Sequence, residues 1–316
     1  MNVASRATRI FGAWLFALTL VAGAAPSALA YNAHGHMTIA AVAWERLTPT
    51  TRRKATALLK LNPDYKTWVA NAPKSRRDEV AFVVAATWPD NIKSETGYIN
   101  DGEAPKEPDA SRNEGYGDKL QHRYWHYIDL PFSPDGTPLI QPKVPNAKTQ
   151  IEAFRDTLKS PTTRDELKSY DLVWLLHLVG DVHQPLHCAS RFTHDLPSGD
   201  RGGNLVKLCS KPKCRAELHA FWDDALGKSK DPNAAIRIAA RLLPADPQAA
   251  AIADVSVWIE ESFEAAKSIA YAPPIGPSAG PYQLDAHYRA TARALVRKRV
   301  ELAGERLANL LNEALK

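Results

Sequence analysis

The chain has 316 residues, of which 45% are hydrophobic and 24% charged, with a formal net charge of +5. That length suffices for one large domain or two small ones with an ample core. The charge is compatible with polyanionic partners but does not argue for them by itself.

Residues 1–30 read as a secretory signal. Arg6 and Arg9 precede the apolar run FGAWLFALTLVAGAA, which is shorter than the roughly 20 residues a spanning helix needs. The small-residue ending at Ala28 to Ala30 predicts cleavage before Tyr31 and export, to the periplasm or beyond the cell. Residues 31–316 then carry 38 basic against 35 acidic side chains, a net +3, because the signal holds two of the 40 Lys and Arg and no acid. No later stretch is apolar enough to span a membrane.

Apolar residues recur at three- and four-residue spacing over 37–46, 51–60, 75–87, 148–158, 164–184, 216–226, 233–242, 247–269 and 284–314, whereas strand-like alternation is scarce. The spacing predicts an all-α protein. Thr163 and Glu166 read as a capping box opening the helix 164–184, which Pro185 must end because its ring clashes with the preceding turn. Between the helices lie Gly- and Pro-punctuated loops, with no internal repeat and no low-complexity linker. Of the three cysteines, Cys209 and Cys214 bracket the short loop SKPK and are the expected disulfide. Pairing of Cys188 with either stays open, since connectivity does not follow from sequence.

The chemistry concentrates in WLLHLVGDVHQPLHC, residues 174–188. His177 and Asp181 are four apart, so on a helix they leave one face and can share a metal. AELHAFWDDAL repeats the arrangement with His219 and Asp223. His187 lies just past Pro185, where the chain can turn back toward a second ion. HYID offers His126 and Asp129, ATWPD offers Asp90 after the proline expected to end the helix from Ser75, and the segment YNAHGH offers His36. A single pair of this kind is more often a buried hydrogen-bonded couple; their number points to metal centres.

In order and spacing these motifs, with DRGGN between them, resemble the trinuclear-zinc single-strand nucleases of the nuclease S-one and nuclease P-one type. That family also has 3′-nucleotidase activity and shares its fold with zinc phospholipase C. The resemblance implies a single helical domain over residues 31–316 holding three zinc ions. It implies Asp90, His126, His177 and Asp181 on the first, His187, His219 and Asp223 on the second, and His36, a bridging Asp181 and the backbone of Tyr31 on the third. The first mature residue is usually Trp in the family and is Tyr31 here. It also implies catalytic roles for Asp181, for Lys93 in place of a usual Arg, and for Asp129. Tyr127 would stack on a base, and Asn204 would face the substrate. Single-stranded DNA or RNA and 3′-nucleotides would be the substrates. The rivals are zinc phospholipase C, whose last ligand is typically Glu where this chain has Asp223, and a non-catalytic exported zinc-binding protein. His183 reads as a donor that orients a neighbour; His34, His122, His194 and His287 have no matched role.

Overall fold

The computed structural model describes residues 31–106, 112–209 and 216–316. The expected signal and Cys214 therefore lie outside the described residues. Helix dominates the rest, as the periodicity predicts.

Helix α1 (Ala33–Arg46) starts four residues before its apolar period, because the Asn32 side chain accepts from the His34 and Gly35 amides at 2.9 and 3.3 Å and caps it there. His36 thus sits in a first helical turn rather than ahead of one. After α2 (Pro49–Leu59) and α3 (Tyr65–Trp68), α4 (Arg77–Ala85) stops on its own. Pro89 does not end that helix. It lies in the first turn of a separate short helix, α5 (Trp88–Asn91), where a missing N–H costs nothing, and it places Asp90 there. Strand β1 (Leu130–Phe132) leads toward α6 (Ala147–Lys159), opened by a reciprocal Asn146–Thr149 capping box.

Helix α7 (Asp165–Asp181) is the axis of the molecule. The expected Thr163 capping box does not form: the N-cap is Arg164 with no side-chain bond, and Asp165 and Glu166 meet the helix dipole instead. The helix ends at Asp181, three residues short of expectation, since Val182 and His183 already turn ahead of Pro185. Every residue from Ser169 to Asp181 is buried, and α1, α2, α5, α6 and α12 (Ala286–Ala314) pack around it. A helix apolar on all sides is stable only when wrapped this way. Truncating the fully buried Leu176 to Ala would cost on the order of 2–5 kcal/mol.

Strand β2 (Ala189–Arg191) pairs in parallel with β1, Leu130 opposite Ala189. The pairing extends upstream, where the Ile128 amide donates to the His187 carbonyl at 2.8 Å. Then follow α8 (Leu218–Asp223), α9 (Pro232–Ala239), α10 (Pro247–Ala250) and α11 (Val255–Ala265). The single helix expected over 247–269 is divided because Asp254 caps a new start, accepting from the Ser256 amide. Behind the turn after Asp181, Arg299 and Arg306 of α12 both pair with Glu261 of α11 at 2.7 Å. Arg299 Nε also donates to the His183 carbonyl at 3.2 Å and Arg306 Nη1 to His183 Nε2 at 3.0 Å. Buried cations with partners this complete pin the end of α7 in place.

Candidate metal centre

Five pieces of backbone converge at the C-terminal end of α7. α7 brings His177 and Asp181, α1 brings His36, α5 brings Asp90, the segment before β1 brings His126, and the turn before β2 brings His187. On the far side α8 supplies His219 and Asp223. These eight residues form three groups, of which the first two share His177: His36, His177 and Asp181; Asp90, His126 and His177; His187, His219 and Asp223. Within each group the donor atoms all lie within 4.8 Å of one another.

The backbone aims the rings. His177 Nδ1 donates to the Ala86 carbonyl at 2.8 Å, one of the orphan acceptors at the end of α4. His187 Nδ1 donates to the His126 carbonyl and His219 Nδ1 to the Gly202 carbonyl, both at 2.7 Å. A ring whose Nδ1 carries the proton presents a bare lone pair at Nε2, the arrangement of a metal-ligating histidine. The two glycines of DRGGN serve this aim. Gly202 has φ +61°, and a Cβ there would meet the Leu186 carbonyl at 2.3 Å. Asp200 ties the loop down by accepting from the Arg191 amide, the Gly203 amide and the Tyr271 hydroxyl.

The groups fit cations. His187 Nε2 and His219 Nε2, both with lone pairs, face each other at 3.1 Å. Left alone the two would repel. A tetrahedral zinc with nitrogens at about 2.0–2.1 Å sets two of them about 3.3 Å apart. Asp181 faces two ways: Oδ2 lies 3.1 Å from His126 Nδ1 and 3.3 Å from His177 Nε2, while Oδ1 lies 3.3 Å from His36 Nε2. Oδ1 and His36 Nε2 have no hydrogen-bond partner despite complete burial. Polar atoms left so are costly unless an ion takes them up.

Burial lowers the pKa of His36, His126 and His187 well below the usual imidazole value, keeping their lone pairs available. Burial also works against charge on His177, but Asp181 and Asp90 outweigh it and raise its pKa. Burial raises Asp181 to about 6 and lifts Asp223 well above the carboxylate range.

The remaining residues singled out in the sequence fall in different places. Lys93, with 5% of its side chain exposed, holds Asp90 Oδ1 at 2.8 Å and so stands at the edge of the cluster. Tyr31 is buried, its ring edge-on to His36 at 6.3 Å, and Gly35 leaves room for it. Tyr127 and Asp129 line a neighbouring cavity of about 160 Å³ together with Tyr124, Asn146, Ser190 and Arg201. Burial raises Asp129 to about 7, with Asp200 adding to it. Asn204 is engaged in its own turn, Nδ2 donating to the Arg201 carbonyl at 2.6 Å. His183 orients no member of the cluster; both its nitrogens are taken, by Val179 and Arg306. Cys188 is a buried free thiol. His122 is a core residue bonded to Asp118 at 2.8 Å and stacked on Trp125.

Gln184 was not singled out by sequence reasoning. Fully buried, it donates from Nε2 to Asp223 Oδ1 at 2.8 Å and accepts from the Leu186 amide, tying Asp223 of α8 to the turn that carries His187. Its signal was there: an amide between two ligand-bearing stretches in an otherwise apolar run.

A helical scaffold that converges eight His and Asp side chains into three neighbouring groups can hold several metal ions. No helix among the described residues is long and apolar enough to cross a membrane. The chain belongs to the S1/P1 nuclease family, whose profile matches residues 31–316. It is therefore a hydrolase acting on nucleic acids, and the phospholipase reading yields to the nuclease one. No curated protein gives a match.

Proposed function

We propose that this chain is a zinc-dependent endonuclease that cuts single-stranded DNA and RNA to 5′-phosphate products and also removes the phosphate of 3′-nucleotides. The observation that carries this reading is the orientation of Asp181, one carboxylate oxygen toward each of two groups in a nuclease-family chain. Asp90, His126, His177 and Asp181 would hold one zinc, and His187, His219 and Asp223 another. His36, Asp181 and the amino and carbonyl groups of Tyr31 would hold the third. Zinc bound there supplies Lewis acidity, making water a nucleophile near neutral pH and neutralising charge on the phosphate.

The protein's own groups do the positioning. Lys93 presents an ammonium beside the cluster, a point charge for a phosphate oxygen without the fork of an arginine. Gln184 fixes the rotamer of Asp223, and the carbonyls of Ala86, His126 and Gly202 fix three imidazoles. Asp129, with its pKa near 7, offers a carboxyl able to accept from or donate to a base edge, and Tyr127 offers a stacking face. Export after cleavage of residues 1–30 is part of the reading, since only then does Tyr31 own a free amino group.

The test uses protein beginning at Tyr31, assayed on single-stranded DNA, RNA, 3′-nucleotides and phosphatidylcholine alongside metal analysis. Nucleic-acid and 3′-nucleotide turnover with about three zincs per chain is expected. One zinc or none, or turnover of the lipid alone, would refute it.

A further inference from the structure

The N-terminal half of α12 carries Arg289, Arg293 and Arg297 at intervals of four, with Lys298 beside them, and no carboxylate between Asp285 and Glu301. Residues four apart stand in one row along a helix, about 6 Å of rise between them. All four are exposed. Arg241, from the turn after α9, faces the same row across a groove whose floor is Ile238, Leu242 and Leu243. The groove measures about 490 Å³, no acidic residue lines it, and Leu243 is 85% exposed. Arg241, Arg293, Arg297 and Lys298 carry neither an ion pair nor a side-chain hydrogen bond among the described residues. Other exposed cations, such as Lys148, Lys159 and Lys228, are matched with a carboxylate.

The row also lies close to the metal centre. Helix α8 presents His219 and Asp223 to the cluster, while Phe221 and Leu226, on it and just after it, face α12. The Arg289 guanidinium lies 5.5 Å over the Phe221 ring, and Leu226 forms part of the groove. One short helix, about 10–12 Å thick with its side chains, therefore separates the row from the second ligand group.

Resting on the nuclease reading above, we infer that the α12 row and its groove are an exosite for single-stranded polynucleotide. Successive phosphates would meet Arg293, Arg297, Lys298 and Arg241, and a base from the same strand would sit on the apolar floor. An unpaired row of cations at a regular rise is complementary to a polyanion with a repeating charge, and three or four such contacts make binding steeply salt-dependent. The exosite would hold a long strand while its cleavable bond lies in the cluster, and it would be irrelevant to a substrate too short to cross α8.

The experiment compares the zinc-loaded protein beginning at Tyr31 with a variant carrying Arg241→Gln, Arg293→Gln and Arg297→Gln, all exposed positions. Substrates are a single strand of about 30 nucleotides and a dinucleotide, over a range of salt. The variant is expected to keep its zinc, its kcat and its kinetics on the dinucleotide, while KM for the long strand rises about tenfold. The slope of log affinity for that strand against log salt should weaken by about 2, from about 0.7 per lost contact. An unchanged KM and slope for the long strand would overturn the proposal, as would equal losses on both substrates. So would loss of binding to phosphatidylglycerol vesicles with the long-strand KM intact, which would make the patch a lipid surface. A parent protein that cut neither substrate would sink the nuclease reading itself.

Discussion

Replacing Gly35 by Ala separates the proposed third metal position from the stability of the fold. A Cβ built at Gly35 would lie 2.7 Å from Tyr31 Cβ, 3.0 Å from Cγ and 3.1 Å from Cδ1. Ordinary carbon contacts are about 3.5–4.0 Å, so Tyr31 must retreat by about 1 Å. It has little freedom to do so, because its neighbour Asn32 is held by bonds from Nδ2 to Asp224 and to the Gly227 carbonyl. Overpacking of this kind costs about 1–3 kcal/mol. The exchange of Gly for Ala inside a helix returns about 1 kcal/mol. The net change in stability is therefore about 0–2 kcal/mol, or a fall in Tm of a few degrees. A displacement of about 1 Å at a catalytic ligand, by contrast, costs about 100-fold in rate. Gly35→Ala should thus lose about one zinc per chain by elemental analysis and most of its kcat on single-stranded DNA, with Tm lowered by only a few degrees. Full zinc content with normal turnover would refute the placement of Tyr31 at the third position. A loss of activity only in step with a collapse of Tm would refute it too.

Removing metal by chelation should lower Tm markedly, because the lone pairs of His187 and His219 are left facing each other and Asp181 Oδ1 has no partner. Metal at about 1,000 times its dissociation constant contributes about 4 kcal/mol. At about 2–4 °C per kcal/mol for a chain of this size, calorimetry should show a drop of roughly 8–16 °C, restored by zinc. A Tm indifferent to chelation would argue against ions in the cluster. Asp171, buried in α7 away from the cluster, has its pKa raised by burial to about 7 from 3.8. Its folded form keeps a proton that its unfolded form releases, so stability should decline as pH rises from about 4 to about 7 and then level off. Asp171→Asn should remove that decline, making the variant the more stable of the two at pH 8 and little different at pH 4. Parallel denaturant curves for the two proteins across this range would contradict the assignment.

The clustered His and Asp residues are legible in the chain because their geometry is largely local. Spacing by four puts His177 with Asp181, and His219 with Asp223, on one helical face wherever the helix goes. The central helix was equally plain, since an unbroken apolar run before a proline leaves few alternatives. What sequence could not supply depends on the partner across the gap. The Thr163 box failed because Asp165 and Glu166 sufficed at that end. Pro89 opens a turn instead of closing one, which puts Asp90 inside a new short helix rather than after an old one. Gln184 and Gly202 matter only through Asp223 and His219, which lie 39 and 17 residues away in sequence. The α12 row is hidden in the sequence for a related reason: a charge run reads as an ordinary solvated face until the groove beside it is seen.

His126 has a double employment. Its ring belongs to the group with Asp90 and His177, while its carbonyl receives the Nδ1 proton of His187, a member of the other group. A single peptide unit is therefore common to both. Tightening the ring onto its group moves the carbonyl that keeps the other group's imidazole in register, so the two are mechanically geared. Metal entering one of these two groups should therefore favour metal in the other. When metal is scarce, molecules with both of these groups filled should outnumber those with only one filled.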